Sequence, residues 1–267
     1  MKEYKLAVVG NPIAHSLSPV IFELFAKQFD LDLSYNRILA EDSADFKLKV
    51  NAFFNDGGLA LNITSPFKNA AYEVAAHKTA RSGFCKAANF IRMQNDEMLA
   101  DTTDGIGLVE DVIFNKKFKI SAKKILILGS GYVLDSILLD IIAHNPAQIS
   151  ILARNPDRIN YLSKQFATDI FNPLTSYDIV FNSTPNTPDN LLFTQVTHLA
   201  DDALCYDLTY NKDSLFLAHM KKQNTNISGY NGLGMLVETA KVAFTALFQH
   251  IPDTAMVLRE LAAIGYK

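Results

Sequence analysis

The apolar positions of this chain fall into short runs separated by stretches with helical spacing. Leu6 to Gly10 (LAVVG) has the pattern of a buried strand that ends in a Gly-Asn-Pro loop. Ser18-Pro19 then opens a helix, with Ser18 as N-cap and Pro19 at the first helical position. Leu33 to Leu39 reads as a second strand and Asp42 to Phe54 as a second helix. Gly57-Gly58 turns the chain into LALNI, a third strand, and Ser65-Pro66 repeats the Ser-Pro helix start. Strands alternating with helices of this length predict βαβ units and a mainly parallel sheet.

A second cycle begins near Lys123. KKILILG is the most hydrophobic strand of the chain and ends in Gly129-Ser130-Gly131 before a helical stretch to His144. ISILARN, Tyr177 to Phe181 and Leu204 to Leu208 are further strands, with a helix over Pro156 to Phe166. From Gly232 the pattern is helical through Gln249 and again from Asp253 to Ile264. The expected architecture is α/β with two domains. The first spans residues 1–104 and is completed by C-terminal helices over 232–267; a Rossmann-type dinucleotide domain over 105–231 is inserted between.

Length and composition agree. At about 150 residues per domain, 267 residues correspond to roughly 1.8 domains. With 49% hydrophobic and 20% charged residues, the chain is neither disordered nor a coiled coil. A net charge of −3 gives no electrostatic footprint for nucleic acid or an anionic membrane. Cys85 and Cys205 stand outside any metal-ligand spacing, so no metal site is expected. The first apolar run is too short for a signal peptide and none approaches 18 residues, so the expectation is a soluble cytoplasmic protein.

Candidate chemistry lies at strand ends, where open α/β sheets place ligands. Strand, Gly129-Ser130-Gly131, then helix is the arrangement in which backbone N–H groups face a pyrophosphate. The third glycine of GxGxxG is absent, Leu134 standing in its place, and Tyr132 follows the turn directly. Beyond the next strand no carboxylate precedes Asp157. Arg154 and Arg158 stand there instead, either as a clamp for a 2′-phosphate or as solvated surface residues. NADP is therefore expected over NAD.

Ser16 and Ser18 flank Leu17, so in an extended segment both hydroxyls face one side, as a carboxylate site requires; Ser18 alone also fits a plain N-cap. His15 reads as structural. Lys68 falls in the first turn of a helix, at the end of the dipole that disfavours a cation, which is a place for a proton-exchanging lysine more than for a stabilising one. Asp104 opens a helix after a strand, as a catalytic partner or as a cap.

These segments, in this order, resemble shikimate dehydrogenase. The family's N-terminal motif is matched from Gly10 to Pro19, its Asn-Val-Thr-x-Pro-Phe-Lys by Asn62 to Lys68, and its Asn-Thr-Asp-Gly by Thr102 to Gly105. Its C-terminal Asp-Gly-Leu-Gly-Met-Leu-Val appears as Asn231 to Val237, and Tyr-Asp-Leu-x-Tyr-Asn as Tyr206 to Asn211. The resemblance covers nearly the whole chain. It implies NADPH-linked reduction of 3-dehydroshikimate to shikimate, in aromatic amino-acid biosynthesis, by a monomer or homodimer.

The roles it implies are specific. Ser16 and Ser18 hold the substrate carboxylate, with Tyr210 closing that end. Thr64, Asn89 and Asp104 bond ring hydroxyls, and Thr239 stands at a further substrate position. Lys68 and Asp104 form the proton-transfer pair. Gly129, Ser130, Gly131, Tyr132, Arg154, Arg158, Asn182, Thr184, Gly232 and Met235 fall at cofactor positions.

Departures cluster in these sites. Thr102 replaces an Asn, Thr239 a Gln, Tyr132 a Gly and Ala153 an Asn; Lys86 to Phe90 keeps only Ala87 and Asn89 of its motif; and Pro185 follows Asn182-Ser183-Thr184. Thr102 and Thr239 favour a sister activity on quinate or another polyol acid. Tyr132 and the missing glycine favour a binding protein without turnover, against which stand Lys68 and Asp104.

Overall fold

The computed structural model describes residues 3–210 and 213–266, and it divides the chain into two compact units. One comprises residues 1–107 and 237–260, the other 108–236 and 261–267. The boundaries fall within a few residues of the expected 104 and 232, but inside helices, because helical segments carry the chain across both divisions. Residues 261–266 group with the second unit, whereas the sequence pattern assigned them to the first.

In the first unit β1 (Tyr4–Gly10), α1 (Ser18–Lys27), β2 (Leu33–Leu39), α2 (Ser43–Asn55), β3 (Ala60–Ile63) and α3 (Lys68–Val74) follow the predicted alternation. β4 (His77–Lys78), α4 (Ala80–Cys85), β5 (Phe90–Gln94), β6 (Glu97–Asp101) and α5 (Asp104–Glu110) complete its first segment. Asp42 caps α2, its carboxylate accepting from Ala44 and Asp45 N–H. Ser18 does not cap α1: Leu17 takes the cap position and Ser18 is the first helical residue, its N–H donating to the Ser16 hydroxyl at 3.3 Å. Nor does Ser65 start a helix directly. Residues 65–67 form a turn, and α3 begins at Lys68.

The sheet order is β2-β1-β3-β5-β6-β4. β1 pairs in parallel with both β2 and β3, whereas β5 runs antiparallel to β3 and to β6. This hairpin, missing from the sequence reading, turns at Asn95-Asp96, both in the left-handed region that a tight two-residue hairpin needs. Two successive reversals return the chain to one edge, so the start of β5 and the end of β6 both lie beside the end of β3. One face is covered by Phe46, Val50, Phe67 and Ala71 over Val9, Leu61 and Ile91.

The second unit contains β7 (Lys124–Leu128), α6 (Val133–Ile142), β8 (Gln148–Leu152), α7 (Pro156–Phe166), β9 (Asp169–Ile170), β10 (Tyr177–Asn182), β11 (Leu199–Asp207), α8 (Leu215–Gln223) and β12 (Ser228–Asn231). All its pairings are parallel, in the order β12-β11-β10-β7-β8-β9. Strand order reverses between β7 and β10, which makes their carboxyl ends the ligand-binding crevice of such a sheet. Two apolar layers built on Ile127, Ile137 and Phe181 and on Leu126, Val180 and Phe216 bury it. α9 (Leu233–Phe248) and α10 (Thr254–Ala263) end the chain. Among the described residues no helix is long and apolar enough to cross a membrane.

Candidate active site

In the first unit the strand order reverses between β1 and β3, so the segments after these two strands meet at one crevice. Gly10 ends β1 so close to the Thr64 methyl that a Cβ there would collide with it. Asn11 N–H donates to Ser65 C=O at 3.1 Å and Thr64 N–H to Val9 C=O at 2.9 Å, tying the two loops together. Ser16 and Ser18 stand here with their hydroxyls 3.3 Å apart, and Arg37 donates to the Ser16 carbonyl at 2.7 Å. Beneath them Tyr35 donates to Asn62 Oδ1 at 2.8 Å. Burial drives the Tyr35 phenol far above its ordinary range, against the Ser18 hydrogen bond and the Arg37 charge, so it remains a protonated donor.

Lys68 and Asp104 come together at this edge, with Nζ 2.6 Å from Oδ2 and both side chains largely buried, at 18% and 11% exposure. The other carboxylate oxygen is held as well. Asn89 Nδ2 donates to Asp104 Oδ1 at 2.9 Å and to the Thr103 hydroxyl at 3.0 Å, while its Oδ1 accepts the Thr103 N–H at 2.8 Å. The antiparallel hairpin explains the convergence, because Asn89 precedes β5 and Asp104 follows β6. Asn89 therefore fixes Asp104, which fixes the ammonium. The roles of Thr103, Tyr35 and Arg37 escaped the sequence reading, since each depends on a partner that pattern does not reveal.

The glycine turn of the second unit sits at its own switch point. Gly129 has φ +110°, and a Cβ on it would strike the Ser183 hydroxyl, which donates to Leu128 C=O at 2.8 Å. Gly131 faces open space, with no atom within 4 Å of a Cβ placed there. The turn leads directly into the N-terminus of α6, whose dipole favours an anion, so the cradle fits an anionic dinucleotide.

Asn182 and Thr184 are buried in a network instead of projecting. Asn182 Oδ1 accepts from the Thr184 N–H at 3.2 Å, and its amide donates to Asp207 at 3.3 Å; Asn190 donates to the Thr184 hydroxyl at 2.6 Å. Gly232 donates to Thr209 C=O at 2.9 Å and packs against Leu208 too tightly for any side chain. Met235 N–H donates to the Tyr206 hydroxyl at 3.0 Å, and that hydroxyl donates to buried Asp111 at 2.7 Å. Tyr210 follows β11 in the same unit, and the Asn211 that ends its motif lies outside the described residues.

The two arginines differ. Arg154 is exposed and without an ion pair or hydrogen bond among the described residues. Arg158, from the first turn of α7, donates through Nε to Ser130 C=O at 3.1 Å and pairs with the Asp135 carboxylate.

Over residues 8–91 the chain matches the family model of the shikimate dehydrogenase substrate binding domain, and over residues 112–212 that of shikimate / quinate 5-dehydrogenase. A protein of Vesicomyosocius okutanii subsp. Calyptogena okutanii, named shikimate dehydrogenase (NADP(+)), is 38% identical over 266 residues, covering 97% of this chain and 99% of that one. One of the same name from Legionella pneumophila is 36% identical, covering 96% of this chain and 98% of that one. The chain belongs to the shikimate dehydrogenase family. The crystal structure of an Ael1 enzyme from Pseudomonas putida shares the fold with TM-score 0.86 at 31% identity, covering 97% of this chain and 98% of that one.

Within the shikimate dehydrogenase frame, the substituted positions have definite surroundings. Thr239 is buried on α9, where its hydroxyl finds no hydrogen-bond partner among the described residues. It lies against Gly107 of α5, and a Cβ on Gly107 would stand 2.6 Å from the Thr239 nitrogen. Thr102 is buried at 3% exposure, and its carbonyl accepts from Arg81 at 3.2 Å. Tyr132 is exposed and stands just before α6 with no side-chain capping bond, its ring centre 5.4 Å from the Arg158 guanidinium carbon.

Proposed function

We propose that this chain interconverts 3-dehydroshikimate and shikimate with NADP(H). The observation that carries the reading is the Lys68 ammonium set 2.6 Å from Asp104, whose second oxygen is held by Asn89. Such an arrangement keeps a proton donor at a fixed point beside a reacting carbonyl.

In this reading the hydroxyls of Ser16 and Ser18 hold the substrate carboxylate, with Tyr210 assigned to the same end. Thr64 and Asp104 take ring hydroxyls. NADPH, when bound, supplies the hydride. During the reduction the Lys68 ammonium would stabilise the negative charge that develops on the carbonyl oxygen and then give up a proton to it. Asp104 keeps the lysine in line, and in the reverse direction neutral Lys68 takes the hydroxyl proton back. The turn from Gly129 to Gly131 and Tyr132 receives the pyrophosphate, and Arg154 and Arg158 lie toward the adenosine end. Asn182, Thr184, Gly232 and Met235 shape the pocket for the nicotinamide end.

A second reading, oxidation of quinate, draws support from the unpartnered Thr239 hydroxyl, which could serve a ring substituent that a longer amide would exclude. Initial rates with shikimate and with quinate, each with NADP and NAD, test both. Turnover of shikimate with NADP is expected. Faster turnover of quinate would move the assignment to the second reading, and no turnover by folded protein would remove both.

A further inference from the structure

The structure gives Arg158 a set of partners that its sequence position does not foretell. Its guanidinium carbon lies 5.4 Å from the Tyr132 ring centre and 4.6 Å from that of Tyr161. Its Nε reaches the Ser130 carbonyl, in the glycine turn itself, at 3.1 Å. Its Nη2 pairs with Asp135, the third residue of α6, which is 1% exposed. Asn155 caps α7 by accepting the Arg158 N–H at 3.1 Å, which fixes the backbone from which this side chain projects. Arginine 158 thus ties α7, the glycine turn and α6 to one another.

Two physical consequences follow. The Asp135 carboxylate offsets the guanidinium charge, so Arg158 offers little net field to an incoming phosphate. Withdrawing Arg158 toward a ligand would also leave Asp135 buried without a counter-charge, a costly state. Desolvation already raises the Asp135 carboxyl above its ordinary range, against the lowering pull of Arg158. Arg154, by contrast, is exposed and has no ion pair or hydrogen bond among the described residues.

We propose that Asp135 is a positioning residue for cofactor binding: it locks Arg158 onto the Ser130 carbonyl as a brace for the glycine turn, leaving recognition of the 2′-phosphate to Arg154 alone. This rests on the reading that the turn from Gly129 to Gly131 holds the dinucleotide. It revises the simpler expectation that the two arginines share the 2′-phosphate.

The test is calorimetric titration of the full chain with NADP and with NAD, alongside shikimate, in four variants. Arg154→Ala should weaken NADP by about tenfold or more while changing NAD by less than about twofold. Arg158→Ala should weaken NADP and NAD by a common factor, with the NADP/NAD ratio and the shikimate affinity unchanged, whereas Asp135→Asn, which loosens the brace but uncovers the guanidinium charge, should weaken NAD by about that factor and NADP by less, again with the shikimate affinity unchanged. The Asp135→Asn/Arg158→Ala double variant should bind no worse than Arg158→Ala alone, because the two residues act as one device. A merely structural role would lower the melting temperature without this coupling in dinucleotide affinity. If Arg158→Ala does not fold, Arg158→Lys keeps the cation, loses the fork and serves in its place.

Selective loss of NADP in the Arg158 variant would overturn the proposal, as would unchanged dinucleotide binding in Asp135→Asn or additive losses in the double variant. Unchanged binding of both dinucleotides in every variant would instead remove the placement of the cofactor at this turn, and the proposal with it.

Discussion

Asp104 has one oxygen on Lys68 and the other on Asn89, so its carboxylate has a single orientation and so does the ammonium it holds. In the proposed reaction, replacing Lys68 by alanine removes the proton donor but leaves the serine pair and Thr64 in place. Turnover should fall by about 10²- to 10⁴-fold with little change in the KM for shikimate, as steady-state rates would show. A second expectation concerns the thiols. Cys85 and Cys205 are both buried, and burial pushes the Cys205 thiol up to about 12. Neither should react with an aromatic disulfide reagent in native protein at neutral pH, and both should react after unfolding in denaturant. At this scale the sequence named Ser16, Lys68 and Asp104 as candidates, because they sit in ordered motifs at strand ends, and the structure brings Lys68 and Asp104 together. The sequence did not reveal the residues that hold them. Thr103 meets Asn89 only across the sheet, and Asp135 meets Arg158 from 23 positions away.

Elements were legible where periodicity was strong: β2 and α7 run over the residues that their patterns predicted. Both Ser-Pro helix starts were misplaced, for a local reason: α1 begins one residue earlier than its pattern predicted, at Ser18, and α3 two residues later, at Lys68. The N–H of Ser18 is taken by the Ser16 side chain, and residues 65–67 turn before α3 begins. The β5–β6 hairpin went unread because its turn is Asn-Asp and contains no glycine, although it is what brings Asn89 and Asp104 to the edge where Lys68 stands. Packing of α5 on α9 was equally invisible to periodicity. There Gly107 leaves no room for a Cβ beside the Thr239 backbone, and backbone cannot give way as a side-chain tip can. Gly107→Ala should therefore cost about 1–3 kcal/mol in chemical denaturation, against the helix-propensity gain alanine would bring at an open site.

At the scale of the whole molecule the first unit is discontinuous, its first 107 residues joined by 237–260. Phe244 of α9 packs on Phe22, Phe25 and Phe29 at ring-centre distances of 6.1, 5.4 and 5.9 Å, and Phe248 lies 5.1 Å from Tyr4. During synthesis these aromatic partners emerge last. At about 5–20 residues per second the intervening stretch takes on the order of 10 s to translate. For that interval the phenylalanines of α1 have no lid, while the second unit is still being made. A chain ending at residue 236 should accordingly bind a hydrophobic dye and be cleaved first within residues 1–107 by limited proteolysis. The nascent enzyme thus passes through a waiting period in which a sheet whose six strands are already made lacks the helix that covers α1.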